Sequence, residues 1–506
     1  MAEKSYILAH DIGTTGNKAI LSTPQGKIVA SSYHAYPISY LKPNWVEQNP
    51  QDWKTAVLEA TRQVLAESQV PAQQVAVVSF SGHMNGVILV DKEGEPLRPA
   101  IIWADQRATK QAEYISQVCG DKHVYSLTGN RVSPAYSAAK LLWIKENEAD
   151  IYRKAHKMLQ VKDYIAYFLS GIFASDYSDA SLTQMLDLGK HAWAEDLLKE
   201  LDIPLSILPD LYPSAQVIGK ITPEAAALTG LLAGTPVVIG GGDGACATVG
   251  AGSISEGDLY NYIGASSWVG LSTRAPVLDE QQRTFNFCHP DADLYVAVGS
   301  MQSAGGAFDW LETLLRRGEG NQPYYDDLNM AASLVPPGGN GLIFLPYLLG
   351  ERSPYWNPLA RSAFIGLAMP DGHAEMARAV MEGVAFNLRM ILDILQSQGC
   401  YVSAMRLIGG GSRSSVWRQI LADVFNLPIL LVDLPASATA MGAAIAGGIG
   451  VGLYANYGVV RDIIPVSEDA IPDAHTRVRY EALYELFQES YRVLVPIYER
   501  LAALPK

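Results

Sequence analysis

A chain of 506 residues is too long for one ordinary hydrophobic core and predicts two domains of similar size. Its composition, 49% hydrophobic and 18% charged with 44 Gly and 28 Pro, is globular and fits neither extended disorder nor a repeat array. A formal net charge of -14 argues against general affinity for nucleic acid or an anionic membrane, yet leaves room for a local phosphate cradle.

The opening reads strand, tight turn, strand: Tyr6–His10, then Asp11-Ile12-Gly13-Thr14-Thr15-Gly16, then Lys18–Ser22, followed by a third strand, Lys27–Ser32. Asn49, Pro50 and Asp52 form a helix start, and Trp53, Val57, Ala60 and Val64 line one face of the helix they open. Strand Val75–Phe80, a hairpin from Val87–Val90 through Asp91–Gly94, and strand Ala100–Trp103 come next. Helices are predicted over Gln106–Val118 and Ala138–Glu146. Leu232–Gly242 reads as a buried strand running into the loop that holds Asp243.

After Gly250 the pattern begins again, with Leu259–Ile263, the turn Gly264-Ala265-Ser266-Ser267, and Trp268–Ser272. Helix Gly306–Arg316, strand Gly341–Leu345, helix Ala374–Gln398, strand Met405–Ile408, helix Arg413–Phe425, strand Ile429–Val432 and a terminal helix Tyr480–Leu501 complete the reading. Two α/β halves are expected, residues 1–252 and 253–506, facing each other across a cleft that is the default ligand site. The four cysteines, Cys119, Cys246, Cys288 and Cys400, imply neither a disulfide framework nor a zinc site. No signal-peptide layout is evident at the N-terminus. The apolar windows Leu231–Gly252 and Ala436–Gly452 are too rich in Gly and Ala for membrane spans, so a cytoplasmic protein is predicted.

A phosphate cradle needs approachable backbone N–H groups, hydroxyls, and a carboxylate for Mg2+. Asp11–Lys18 supplies all three: Gly13 and Gly16 permit approach, Thr14 and Thr15 donate, Asp11 orients hydrated Mg2+, and Lys18 reaches for a terminal phosphate. An ordinary hairpin turn is the competing reading. Gly264–Ser266 is a second, weaker cradle. Gly409-Gly410-Gly411-Ser412, between a strand and a helix, is where backbone can pass close to a nucleotide.

Asp243 follows a Gly-rich strand end, where a carboxylate is costly unless it serves ligand chemistry or caps a helix. It is the candidate general base for an alcohol, with helix capping as the alternative. For a sugar pocket, His83-Met84-Asn85 and Trp103-Ala104-Asp105 sit at strand ends. Trp103 offers a stacking face, Asn85 and Asp105 offer hydroxyl partners, and His83 reads as a hydrogen-bonded structural histidine.

These residues resemble the FGGY family of carbohydrate kinases from Ile7 to about Gly450. Ser362-x-Phe364-x-Gly366-Leu367 with Glu375-Met376-x-x-Ala379-Val380-Met381-Glu382 matches one family signature, and Ser137-x-x-Lys140-Leu141-x-Trp143-Ile144-x-Glu146-Asn147 matches another after an atypical Ala135. Trp45–Pro50 and Glu351-Arg352-Ser353-Pro354 resemble further family stretches. The resemblance implies an actin-like, ribonuclease-H-like ATPase fold and ATP-dependent phosphorylation of a sugar hydroxyl. Asp243 would be the proton acceptor, and Asp11 (through water) and Asp243 the carboxylates at Mg2+.

Asp11, Thr14, Thr15 and Lys18 match the first phosphate motif and Gly264, Ala265 and Ser266 the second, with Ala265 standing where threonine is frequent. Gly305 and Asp309 match nucleotide-lining positions, as do Gly410, Gly411, Ser412 and Ser415 around the adenosine motif. Met84-Asn85 and Ala135 differ from the glycerol kinase pattern. A ketopentose such as xylulose is the leading acceptor and gluconate the second. The rivals are a nucleotide-driven chaperone or filament protein on the same fold, and an idle sugar-sensing module. The terminal helix offers a surface for a homodimer.

Overall fold

The computed structural model describes residues 5–315, 325–433 and 435–504. The repetition seen in the sequence becomes two seven-stranded mixed sheets. In the first, Tyr6–Ile12 pairs antiparallel with Gly16–Ser22, placing Asp11 opposite Lys18, and parallel with Val75–Gly82, placing Asp11 opposite Ser81. The hairpin turn and the ends of the parallel strands therefore emerge at one edge. Every residue of Val75–Gly82 is buried, as expected for a central strand covered on both faces. The helix Pro50–Ser68 covers this sheet with Trp53, Val57, Ala60 and Val64, and the Asn49 side chain accepts from the Gln51 N–H at its start.

The second sheet repeats the plan. Leu259–Ile263 pairs antiparallel with Ser267–Thr273 and parallel with Met405–Ile408. Behind it lies the 25-residue helix His373–Ser397, whose Gly383 comes so close to the Ile343–Leu345 strand that a Cβ there would sit 2.1 Å from the Phe344 carbonyl. The terminal helix spans Ala474–Ala502, and the expected end of an earlier helix at Arg316 lies outside the described residues.

Several sequence expectations change. The single strand expected over Leu232–Gly242 is two short pieces, Pro236–Val238 and Gly241–Gly242. Gly240, at φ 70°, breaks it where a Cβ would lie 1.8 Å from the Phe80 carbonyl. The hairpin from Val87–Val90 through Asp91–Gly94 returns as expected, with Leu97 N–H donating to the Leu89 carbonyl at 2.9 Å and Val90 bridged to Pro96, and Ile88–Val90 pairs in addition with Lys157–Leu159. The helix expected from Arg413 starts at Ser415, after a one-turn 3-10 segment, Gly410–Arg413.

The apolar window Ala436–Gly452 is also explained. Ala438–Gly450 is a helix that belongs to the second half in sequence but packs on the first. It lies against the helix Asp243–Gly250 at backbone contact: a Cβ on Gly442 would fall 2.0 Å from the Cys246 carbonyl, and one on Gly250 1.8 Å from that of Ala438. Small residues are there so that two helices can touch. Among the described residues, no helix is long and apolar enough to cross a membrane.

Candidate active site

The first turn is held by its own backbone and by neighbours. Gly13 N–H donates to the Gly16 carbonyl at 3.0 Å, the Tyr36 hydroxyl donates to the Gly13 carbonyl, and Gln48 Nε2 donates to the Thr14 carbonyl at 2.7 Å. Gly16 is required by packing rather than by phosphate approach, because a Cβ there would lie 2.5 Å from the Tyr33 ring. Thr15 is exposed, 3.1 Å from the Tyr33 hydroxyl. The Thr14 hydroxyl accepts the Trp103 indole N–H at 2.8 Å. The stacking residue expected in the sugar pocket thus braces the turn expected to hold phosphate. Lys18 extends its ammonium to the Ala436 carbonyl (2.7 Å) and the Ser437 hydroxyl (2.8 Å), tying the hairpin to the start of the crossing helix.

Asp243 is the first residue of its helix and follows the capping position Gly242, so it is not the cap. Its Oδ1 accepts the Gly244 N–H at 2.7 Å. Burial and then the charge of Asp11 push its pKa up to about 7. Asp11 is itself raised to about 6 by burial, with Ser81 and the Lys18 charge pulling the other way. Two carboxylates that disfavour each other's ionisation form a place for a cation or a proton. Among the described residues no group of three or more His, Cys, Asp or Glu side chains could hold a metal ion. The oxygen donors of Asp11 and Asp243 suit Mg2+ that arrives already bound to phosphates and keeps most of its water.

The loops expected to face a sugar converge on Asp243. Met84 packs on Gly242, where a Cβ would lie 2.6 Å from its thioether, and approaches Gly244. Asn85 adopts φ 65°, and its buried Oδ1 has no hydrogen-bond partner among the described residues. The buried ammonium of Lys140 donates to the carbonyls of Asn85 (2.9 Å), Ile102 (2.9 Å) and Ala135 (2.5 Å), knitting three loops together.

Two expectations need correction here. Asp105 is 0% exposed, and its carboxylate accepts from the Val46 N–H at 2.6 Å, the Arg107 N–H at 2.9 Å and the Arg107 guanidinium at 2.7 Å. It shapes the loop and has no oxygen to spare for a sugar. His83 is buried against the Trp53 ring, but neither ring nitrogen has a partner among the described residues, and burial drives its pKa down to about 3.

The second turn is clasped by the helix Gly305–Leu315. The Gly264 carbonyl accepts from Gly305 at 2.9 Å, and that of Ala265 from Ala304 (2.8 Å) and Gly306 (2.9 Å). A Cβ on Gly305 would come within 2.4 Å of the Gly264 carbonyl. Ser266 closes the turn through its carbonyl, and the exposed Asp309 accepts from the Tyr325 hydroxyl at 2.9 Å.

At the adjoining strand end, a Cβ on Gly409 or Gly411 would strike Ile263 at 2.6 Å or 2.4 Å, whereas Gly410 faces open space. Two of the three glycines are thus explained by packing. Ser412 is buried and turns its hydroxyl onto the Gly409 carbonyl at 2.7 Å, so its side chain is not offered to a ligand. Ser415 is exposed at the first position of the next helix, and Ser414 caps that helix.

Residues 6–250 match the N-terminal domain, and residues 259–451 the C-terminal domain, of the FGGY family of carbohydrate kinases. The chain belongs to this family. It is 32% identical over 487 residues to xylulose kinase of Bacillus subtilis, covering 96% of each chain. It is also 32% identical over 507 residues to gluconokinase of the same species, covering 98% of each. The structure of ligand-bound xylulose kinase from Lactobacillus acidophilus superposes with a TM-score of 0.90 at 29% identity, covering 98% of this chain and 99% of that one. The FGGY assignment brings the two-domain actin-like ATPase fold and kinase chemistry on a small sugar, and it sets aside the filament and sensor readings.

Sequence reasoning gave no role to several residues near this candidate site. Arg352 lies in a quoted motif, and its guanidinium sits 5.5 Å from the Trp103 ring. Arg131 covers the Trp356 ring at 4.6 Å. Gln160, Lys162, Asp176 and Ser178 lie beneath the loops. Only the density of polar residues in Ser175–Ser181 hinted at a buried network there.

Proposed function

We propose that this chain transfers the terminal phosphoryl group of ATP to a hydroxyl of a small sugar, with a ketopentose such as xylulose as the leading acceptor and Asp243 as general base. The observation that carries the reading is the position of Asp243. It opens a helix against Met84 of the acceptor loop and is electrostatically coupled to Asp11 of the phosphate turn. Residues 1–252 present the acceptor. Residues 253–506 present the nucleotide through Gly264–Ser266, Gly305 and Gly410.

With a pKa near neutrality, Asp243 can take the hydroxyl proton as the oxygen attacks in line, while Thr14, Thr15 and the turn N–H groups orient the phosphates. Mg2+ bound with the nucleotide supplies neutralisation of charge between the phosphates, and Asp11 would hold its water shell. Asp243→Asn should lower sugar-dependent ADP release by about 10²–10⁴-fold while ATP still binds. Turnover near that of the parent would refute the assignment.

A specific observation supports a second acceptor class. Arg131 and Arg352 both act electrostatically on Tyr136, and the carboxylates that act on them are Asp121 and Glu351 respectively. Guanidinium groups so placed favour a carboxylate, and hence a sugar acid such as gluconate. ADP release measured across ketopentoses, aldonates and polyols separates the two.

A further inference from the structure

Beneath the base lies a buried polar block. Lys162 is surrounded by three carboxylates, Asp163 Oδ1 at 2.6 Å, Asp176 Oδ1 at 2.9 Å and Asp179 Oδ2 at 3.4 Å, all with exposure of 1% or less. Asp176 uses its other oxygen to accept from the Ser178 N–H (2.9 Å), the Ser178 hydroxyl (2.6 Å) and the Ser214 hydroxyl (2.6 Å). The Ser178 oxygen then accepts the Gly242 N–H at 3.0 Å. Gly242 is the residue immediately before Asp243.

The same block reaches the acceptor loop. Gln160 Nε2 donates to the Asp179 carbonyl at 2.8 Å, and its Oε1 accepts the Gly86 N–H at 3.1 Å, one residue after Asn85. Taking a lysine and three carboxyl groups out of water is expensive, and such a cluster is weak evidence of stabilisation. What this one achieves geometrically is a fixed distance between the base loop and the sugar loop.

We propose that Ser178 is a positioning residue for the phosphoryl transfer: anchored by Asp176 and Lys162, it holds the Gly242 N–H and so sets the place of Asp243 relative to the acceptor. This rests on the reading of Asp243 as base. A hydroxyl is the smallest group that can donate to the carboxylate and accept from the amide at once, and with both roles filled it has no freedom to drift.

Ser178→Ala should lower kcat by about 10–100-fold, as expected when a reacting group is displaced by a fraction of an ångström to an ångström, with KM for ATP and for the sugar changed less than about threefold. Ser178→Thr, which keeps the hydroxyl, should restore most of kcat. If the alanine variant does not fold, Ser178→Cys, close in volume but weak as donor and acceptor, should show the same loss of kcat with KM retained. A folded Ser178→Ala or Ser178→Cys enzyme with kcat within twofold of the parent overturns the proposal, as does a threonine variant no better than alanine. Asp243→Asn measured alongside separates the failures. An active asparagine variant sinks the base assignment itself, whereas an inactive one beside a fully active alanine variant sinks only the role of Ser178.

Discussion

Asp11 and Asp243 are held in a state that costs the fold something. Both have folded pKa values raised above the unfolded carboxylate value, to about 6 and about 7. A raised carboxylate leaves stability intact below the unfolded pKa of about 4 and removes it as pH climbs through the folded value. Asp11→Asn and Asp243→Asn should therefore each raise Tm at pH 8 by roughly 2–4 °C while changing it little at pH 4, as read by calorimetry. Equal effects at both pH values would show that the charge is not the cause. The activity limb follows the same sign: kcat/KM should rise with pH through about 6–7 as Asp243 loses its proton.

At this scale the sequence revealed residue types but not partners. The carboxylate, glycines and hydroxyls of Asp11–Gly16 were legible because one turn supplies them all. Asp105 was misread because Val46 and Arg107 claim its oxygens, and His83 because a buried imidazole left unbonded is rare enough that a hydrogen bond was expected.

At the level of single elements, the duplicated hairpins and their parallel neighbours were readable from apolar strands punctuated by small polar turns. The Gly409–Gly411 run was readable as a candidate site, but not which of its glycines packing demands. Gly411→Ala places a methyl 2.4 Å from Ile263 and should lower Tm and urea stability by about 1–3 kcal/mol. Gly410→Ala meets open space; its Tm should hold while KM for ATP rises. A reversed pattern would show that the turn is not the one that meets the nucleotide. The helix Ala438–Gly450 was invisible as a structural link because its composition carries no amphipathic period: it is buried along most of its length, with small residues on every side.

Across the whole molecule, that helix shares one buried cluster with residues of both sheets, among them Ile7 and Val77 of the first and Tyr260 and Ile408 of the second. Gly442→Ala would force its backbone away from Cys246 and disturb both halves at once, so urea unfolding should lose at least about 2 kcal/mol while remaining a single transition. Two separated transitions would mean that the halves do not share this contact as one cooperative unit.

Two backbones in direct touch, with no side chains between them, cannot slide past one another but can still swing. The seam between Asp243–Gly250 and Ala438–Gly450 therefore sets the spacing of the two helices. Asp243, the proposed proton acceptor, opens one of these two helices, so the contact that ties the crossing helix to the first half also fixes where that carboxylate stands.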